Sequence, residues 1–219
     1  MSKLLCSVSL LAFIIVFSAC SSGSASAQPM IGGRIGINIG NESLDPDPTA
    51  GTGVSAGSHV GILVGPQFDY WFSHNWAFST GLIFDQKGIG FSEQGVSDNY
   101  VLGYLEIPLL VKQAFATGMV RPYIFLGPSI GFLLSATYNP PSGQGASQDV
   151  KASYNGADFS LVGGAGLSID INGPKIFFDA AYALGLVNID NNQQTGDNVN
   201  IKSRDIRIAA GVMFPLTGE

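Results

Sequence analysis

Cysteine is scarce in this sequence. The 219 residues include only two cysteines, Cys6 and Cys20, and both lie within the first 27 residues. Exported proteins use cysteine mainly to form disulfides. A chain that begins after residue 27 has none, which excludes a small scaffold stapled by disulfides. The mature protein has to be held together in another way.

Charged residues are also few. Asp, Glu, Lys and Arg make up 12% of the chain, with 16 acidic against 10 basic residues. A soluble domain usually contains about twice this charged fraction. Nucleic-acid binding requires clustered Lys and Arg that neutralise phosphates, and the sequence contains no such cluster. We therefore predict that no nucleic acid is a partner.

Long apolar runs are missing after the N-terminal segment, although the mean hydropathy of the chain is positive. A membrane-spanning helix needs about 20 predominantly apolar residues, and no such run follows residue 27. The apolar residues instead occupy alternating positions. This distribution is typical of a membrane β-barrel, in which every second side chain of a strand meets lipid.

The first 27 residues have the features of a secretory signal peptide. Lys3 supplies a basic region, residues 10–17 are apolar, and Ala25-Ser26-Ala27 places small residues at a cleavage site. We predict a signal peptide at residues 1–27 and one outer-membrane barrel domain at residues 28–219.

A lipoprotein site is the alternative to simple cleavage before Gln28. Phe17-Ser18-Ala19-Cys20, followed by small residues, resembles a lipoprotein cleavage box in which the cysteine carries the lipid. Phenylalanine stands where such a box usually has leucine. We favour cleavage before Gln28 and leave the lipidation of Cys20 open.

Eight segments alternate apolar with polar or small residues, which is the signal of a half-buried strand. The sixth is the clearest, because Phe159 and Leu161 alternate with Asp158 and Ser160. No segment has a convincing helical period. The segments lie at 31–39, 60–72, 76–87, 104–112, 123–133, 158–170, 176–186 and 205–214.

The connections between these segments alternate between short and long. Tight turns are predicted at 73–75, 116–119 and 172–174, and long polar loops at 41–56, 92–99, 139–156 and 190–202. Outer-membrane barrels have short periplasmic turns and long extracellular loops. An open sheet would leave backbone groups unpaired in lipid, at several kcal/mol each. We predict an all-β, eight-stranded antiparallel up-and-down transmembrane barrel in a bacterial outer membrane.

Aromatic residues gather beside the predicted short turns. Amphipathic rings at one level of several strands are typical of the girdle at a membrane interface. We predict that this girdle consists of Tyr70, Trp71, Phe72, Trp76, Phe115, Tyr123, Phe177 and Phe178.

Charged side chains fall mainly on the faces opposite the apolar residues, so they point into the predicted lumen. Side chains just fill the interior of an eight-stranded barrel, and buried charges are tolerated only when paired. We predict a structural salt-bridge network that plugs the lumen, with a proton or ion path as the functional alternative. Its predicted members are Arg34, Asp69, Asp85, Lys87, Glu106, Lys112, Asp179, Asp205 and Arg207.

A sequence motif adds a family resemblance. Residues 103–112 (GYLEIPLLVK) and 121–128 (RPYIFLGP) resemble the Y-L-E-[IV]-P-L-L-x-K and P-Y-x-x-x-G-x patterns of the PorT-like outer membrane β-barrel family. The strand and loop layout is similar over the whole mature chain. The resemblance implies an outer-membrane barrel. The named member of that family is associated with type IX protein secretion, while many relatives are uncharacterised barrels.

Three classes of function fit these observations. We predict a non-enzymatic barrel, with no catalytic, cofactor or metal site, that serves in anchoring, adhesion or a secretion or envelope complex through its loops or rim. Its predicted partners are outer-membrane lipid and envelope or secretion-complex proteins, and the barrel itself is monomeric. One alternative is a lipid-modifying enzyme, for which His59 and His74 are the available histidine bases. The other is a passive small-solute channel, for which eight strands leave almost no room.

Overall fold

A computed structural model describes residues 28–45, 55–93, 96–115, 118–141, 144–189 and 200–216. The predicted signal peptide and Cys20 lie outside these ranges. No helix in the described part of the chain is long and apolar enough to span a bilayer. The strands are β1 Gln28–Asp45, β2 Ser55–Trp71, β3 Trp76–Gly81, β4 Ile83–Glu93, β5 Val96–Ala114, β6 Val120–Asn139, β7 Gln148–Asp149, β8 Ala157–Asp170, β9 Lys175–Gly185 and β10 Asn200–Pro215, with one 3-10 turn at Lys151–Ser153.

The strands close into an antiparallel barrel. β1 pairs with β2 on one side and with β10 on the other, so the first and last strands complete the ring. β3 and β4 occupy a single position in the wall, because both pair with β2 and with β5. Counted in this way, the ring has eight strands in the order β1, β2, β3/β4, β5, β6, β8, β9, β10. This confirms the predicted fold class.

The interruption between β3 and β4 falls at Leu82, opposite a proline on β2. Pro66 has no N–H and cannot donate a hydrogen bond to the ladder. The contact that remains runs from the Leu82 N–H to the Pro66 carbonyl at 3.1 Å. The proline therefore accounts locally for the break in the third wall strand.

Alternation along each strand separates the outer surface from the interior. On β10, Asp205 and Arg207 are buried, whereas Ile206 and Ile208 are each 49% exposed. This follows from strand geometry, in which successive side chains point to opposite faces of the sheet. The outer wall is consequently apolar, and the polar side chains are collected inside.

The two ends of the barrel differ in their connections. At one end the turns are tight, and the turn from β8 to β9 uses Asn172 and Gly173 at φ of 56° and 118°. Asparagine and glycine are the residues that adopt positive φ most readily. At the other end the strands continue into segments predicted as loops. The predicted loop at 92–99 is instead a hairpin, since β4 and β5 remain paired as far as Glu93 and Val96.

The connection between β6 and β8 folds back onto the wall. β8 pairs with β6 only as far as Ala157, opposite Phe132. Beyond that point β7 takes its place, with Gln148 opposite Tyr138, and the Val150 N–H donates to the Ala136 carbonyl at 3.0 Å. This covers a stretch of strand edge that would otherwise present unpaired backbone groups.

Candidate functional site

The interior next to the short-turn end is apolar. Burying such side chains stabilises the barrel by roughly 25 cal/mol per Å² of apolar surface removed from water. A small, partly open cavity of about 20 Å³ remains beside this layer, which is room for about one water molecule. Asp69, Lys112 and Lys175 line it together with Met30 and Phe177. The layer consists of Met30, Trp71, Ala77, Leu110, Ala114, Tyr123, Phe125, Val162, Phe177, Ala181, Ala183 and Met213.

Three residues of this layer were assigned to the aromatic girdle by the sequence analysis, and that assignment is wrong. Trp71, Tyr123 and Phe177 are 8%, 5% and 3% exposed. Tyr70 and Phe178, their neighbours on β2 and β9, face outward instead. Adjacent residues of one strand cannot both face lipid. Proximity of the rings in the sequence is therefore not enough to place all of them in the girdle.

The remaining predicted girdle residues lie near the short-turn end. Tyr70 and Trp76 are each 40% exposed, and Phe115 and Phe178 are more exposed still. Phe72 is half-buried. The outward set is therefore smaller than predicted, and the other rings fill the interior.

Above the apolar layer lies the central charge cluster, which we define as Asp85, Lys87, Glu106, Asp158, Asp205 and Arg207. Lys87 extends from β4 into its middle, where its Nζ lies 2.7 Å from Glu106 Oε1 and 2.8 Å from Asp158 Oδ2. The same Nζ lies 4.9 Å from the centre of the Tyr104 ring. Lys87 thus connects three strands of the wall through the lumen.

Arg207 binds the opposite side of the same cluster. Its Nη1 lies 2.9 Å from Glu106 Oε2, and its Nη2 lies 2.8 Å from Asp85 Oδ2. The Asn38 amide donates to Asp85 Oδ1 at 2.8 Å, and the Ser129 hydroxyl donates to Glu106 Oε2 at 3.2 Å. Glu106 therefore lies between the two cations and contacts both.

Two further ion pairs lie nearer the apolar layer. Lys112 Nζ is 2.9 Å from Asp69 Oδ2, and the Ser79 hydroxyl donates to Asp69 Oδ1 at 2.6 Å. Arg34 Nη2 is 2.7 Å from Asp179 Oδ1. In each pair one cation faces one carboxylate, so these pairs are balanced in charge.

The structure brings the nine predicted lumen residues together in these three groups. It also places in the interior a residue that the predicted network omitted, Asp158, which is 1% exposed. Asp158 shares the inward parity of its strand, so the alternation signal was present in the sequence. The alternation pattern does not predict that Asp158 pairs with Lys87, which is 71 residues away in the sequence.

Several of the ion pairs join strands that are not neighbours in the ring. Arg207 on β10 contacts Glu106 on β5, and Arg34 on β1 contacts Asp179 on β9. Removing one partner of a buried pair commonly costs about 3–5 kcal/mol, because the other charge is left uncompensated. The pairs therefore tie the wall together internally.

The two histidines lie in different settings. His59 is half-buried on β2, and its neighbour Ser58 is exposed, so alternation directs the two side chains to opposite faces. His74 is exposed in the turn after β2, where its carbonyl accepts a hydrogen bond from Arg121. No group of three His, Cys, Asp or Glu side chains within the described ranges is arranged to hold a metal ion.

Comparison with known proteins gives a consistent picture of the fold. A family model described as an outer membrane protein beta-barrel domain matches residues 26–191. The crystal structure of OprG from Pseudomonas aeruginosa matches with a TM-score of 0.51 and 14% identity, over 89% of this chain and 97% of that chain. At this identity the likeness shows the fold alone.

Other solved structures match less closely. Neisserial surface protein A gives a TM-score of 0.46 at 15% identity, over 87% of this chain and 99% of its own. Ail, the attachment invasion locus protein of Yersinia pestis, gives 0.42 at 19% identity, over 85% of this chain and 99% of its own. No curated protein matches the chain in sequence.

Proposed function

The chain belongs to the outer membrane protein beta-barrel domain family and lies in the bacterial outer membrane, and on that premise we propose that it is a non-enzymatic scaffold that acts through its extracellular hairpins. The observation that carries this proposal is the filled interior. Cross-lumen ion pairs such as Lys87–Asp158 occupy the space of a transport path. A barrel filled in this way has its outer wall and its two ends available for interaction.

The extracellular end supplies a suitable surface. We assign it to the end with long connections, as in other outer-membrane barrels. There β5 and β6 lie side by side, and the ring centres of Tyr100 and Tyr138 are 4.8 Å apart. The Asn139 amide donates to Asn99 Oδ1 at 2.9 Å. Aromatic rings and amides on a rigid support are typical of surfaces that bind other molecules.

The resemblance to PorT-like barrels supports the scaffold without selecting a secretion role. The tyrosine of its Y-L-E motif, Tyr104, is fully buried, and the glutamate, Glu106, lies between the two cations of the central charge cluster. The motif lysine, Lys112, pairs with Asp69. These three residues build the interior, so the motif favours a shared packing arrangement over a shared partner.

Site-specific photo-crosslinking in intact cells tests the scaffold. A photoreactive amino acid placed at Tyr138, near the end of β6, samples the extracellular end, and the same group at Phe115 samples the short-turn end. Ile206, outward-facing and 49% exposed, is the matched lipid-facing control. We expect a discrete protein or glycan adduct at Tyr138 and none at Ile206. Adducts confined to Phe115 would contradict action through the extracellular hairpins. They would indicate a partner that binds at the periplasmic end.

Planar-bilayer recording tests the passive-channel alternative. We expect no conductance above the lipid baseline, because side chains fill an eight-stranded barrel. Steady single-channel steps would contradict a sealed scaffold.

Replacement of His59 by alanine tests the lipid-enzyme alternative, and we expect unchanged phospholipid and lipid A profiles.

A further inference from the structure

The central charge cluster contains more negative than positive charge. Its two cations, Lys87 and Arg207, face four carboxylates, and all six residues are at most 7% exposed. With every group ionised, the cluster holds two surplus negative charges. The ion pairs nearer the apolar layer have no such excess. The carboxylates of the cluster are Asp85, Glu106, Asp158 and Asp205.

Within the described residues, the neighbouring strands add no further Lys or Arg to the ion pairs of the cluster. β1 contributes the neutral Asn38, which donates to Asp85. β6 contributes Ser129, which donates to Glu106. At the level of Asp205 and Arg207, β9 places Ala183 and Ala181 opposite them. On β2 the titratable group is His59, which lies at the level of Asp205, because both residues pair with Gly40 of β1. On β5 the Tyr104 ring receives Lys87.

The four carboxylates are not equally compensated. Glu106, Asp158 and Asp85 each lie within 2.9 Å of a cationic nitrogen. Asp205 Oδ2 is 3.5 Å from Lys87 Nζ and 3.6 Å from Arg207 Nη2. Both distances exceed those of a charge-assisted hydrogen bond, about 2.7–2.9 Å. Asp205 is therefore the one carboxylate of the cluster without a short, charge-assisted contact to either cation.

Buried acceptors without donors point to the same deficiency. Within the described residues, four acceptors of this region are buried and accept no hydrogen bond from the protein: Asp205 Oδ2, Asp158 Oδ1, Asn38 Oδ1 and Asp85 Oδ2. Asp85 Oδ2 still has Arg207 Nη2 at 2.8 Å. The residues of all four acceptors are at most 1% exposed. Buried acceptors are normally satisfied, and an isolated buried carboxylate commonly takes up a proton instead of remaining charged. A protonated carboxyl is itself a donor.

We propose that Asp205 binds a proton at neutral pH, which makes the central charge cluster a proton-binding site in the wall of an otherwise filled barrel. The proton removes one surplus charge and converts an unsatisfied acceptor into a donor. The remaining charge is spread by the donors to the other three carboxylates: the Asn38 amide to Asp85, the Ser129 hydroxyl to Glu106 and the Ser203 hydroxyl to Asp158. This inference concerns bound protons and goes beyond the scaffold role, because it requires no extracellular partner.

Infrared spectroscopy of the refolded barrel in lipid tests the proposal directly. A protonated carboxyl has a carbonyl absorption that an ionised carboxylate lacks. We expect this band in the wild-type protein at neutral pH, its loss in Asp205→Asn, and its retention in Asp69→Asn, where the altered carboxylate is the partner of Lys112. Absence of the band from the wild-type protein would overturn the proposal even if neither variant folds.

The pH dependence of unfolding provides a second measurement. The unfolded chain ionises Asp205 above about pH 4, whereas the folded barrel keeps the proton. Unfolding therefore releases a proton, and the unfolding equilibrium constant rises about tenfold per pH unit for that proton. We expect the slope of the wild type between about pH 5 and about pH 8 to exceed that of Asp205→Asn by one proton.

Two outcomes would overturn the proposal in the unfolding experiment. Equal slopes in the wild type and Asp205→Asn would mean that Asp205 is ionised in the folded barrel. Stability that depends on Na⁺, compared with choline at the same ionic strength, together with equal slopes, would assign the surplus charge to a bound metal cation. Neither outcome affects the scaffold role, which the crosslinking experiment tests separately.

Discussion

Lys87 and Asp158 are 71 residues apart in the chain, yet the Lys87 ammonium lies 2.8 Å from Asp158 Oδ2 inside the barrel. Lys87 projects from β4 and Asp158 from β8. The contact therefore crosses the lumen, and it exists only when the ring of strands is closed. The ammonium also contacts Glu106, so two carboxylates depend on one cation.

Replacing Lys87 by methionine should destabilise the barrel strongly. The change keeps an apolar stem of similar length but leaves Glu106 and Asp158 without their shared cation. We expect a loss of about 3–5 kcal/mol in the free energy of unfolding, measured by denaturant titration in lipid vesicles. Lys151→Met, in an exposed connection, is the control and should change the value by less than about 0.5 kcal/mol. Equal effects of the two substitutions would contradict a cross-lumen role for Lys87.

Glu106 and Arg207 should be energetically coupled. A double-mutant cycle with Glu106→Gln and Arg207→Gln isolates the pairwise energy. We expect a coupling of about 1–3 kcal/mol, because the pair is buried and makes two contacts of 2.9 Å. The residues are too far apart in sequence to interact without the barrel, so additive single effects would contradict the closed geometry.

The two tryptophans should report opposite environments. The chain contains only Trp71 and Trp76, so each single-tryptophan variant gives an unambiguous fluorescence signal. Brominated lipid should quench Trp76, which is 40% exposed on the outer wall, and leave Trp71, which is 8% exposed, nearly unchanged. Strong quenching of Trp71 would place its ring in the girdle and contradict the interior layer.

Trp71 and Trp76 should also differ in their contribution to stability. Truncating a buried tryptophan to alanine costs about 3–5 kcal/mol, because it leaves a cavity in a packed layer. We expect such a loss for Trp71→Ala and a smaller loss for Trp76→Ala. Thermal unfolding followed by circular dichroism would measure both. A larger effect at Trp76 would show that the lipid interface, and not the apolar layer, dominates at this end.

Gly32 should be essential for the contact that closes the ring. A Cβ at Gly32 would overlap the Val212 carbonyl oxygen on β10, and backbone cannot yield as a flexible side chain can. We expect Gly32→Ala to prevent folding or to lower stability severely, measured by the gel mobility of unheated samples. Gly118→Ala is the control, since a Cβ there meets no atom within 4 Å. Normal folding of Gly32→Ala would contradict the close approach of β1 and β10.

Much of the wall could be inferred from the sequence. The alternation of Asp205 with Ile206 predicts which of them faces inward, because strand geometry has a period of two and acts between neighbours in the chain. Applied to each ring, the same rule places Trp71 inside, because its neighbour Tyr70 faces outward. It could not reveal that Pro66 on β2 coincides with the break at Leu82 on the next wall strand, since that depends on strand register.

The order of residues along the chain by itself determined the strand number, the inward or outward direction of most side chains and the membrane setting, because these depend on local period and composition. Only the closed tertiary structure decided which charges meet. Arg34 contacts Asp179, which is 145 residues away in the sequence. Asp205 Oδ2 is 3.5 Å and 3.6 Å from the two cations of its cluster, too far for a charge-assisted hydrogen bond. Such contacts depend on the stagger of all strands around the ring, and a local repeat contains no information about distances across a lumen.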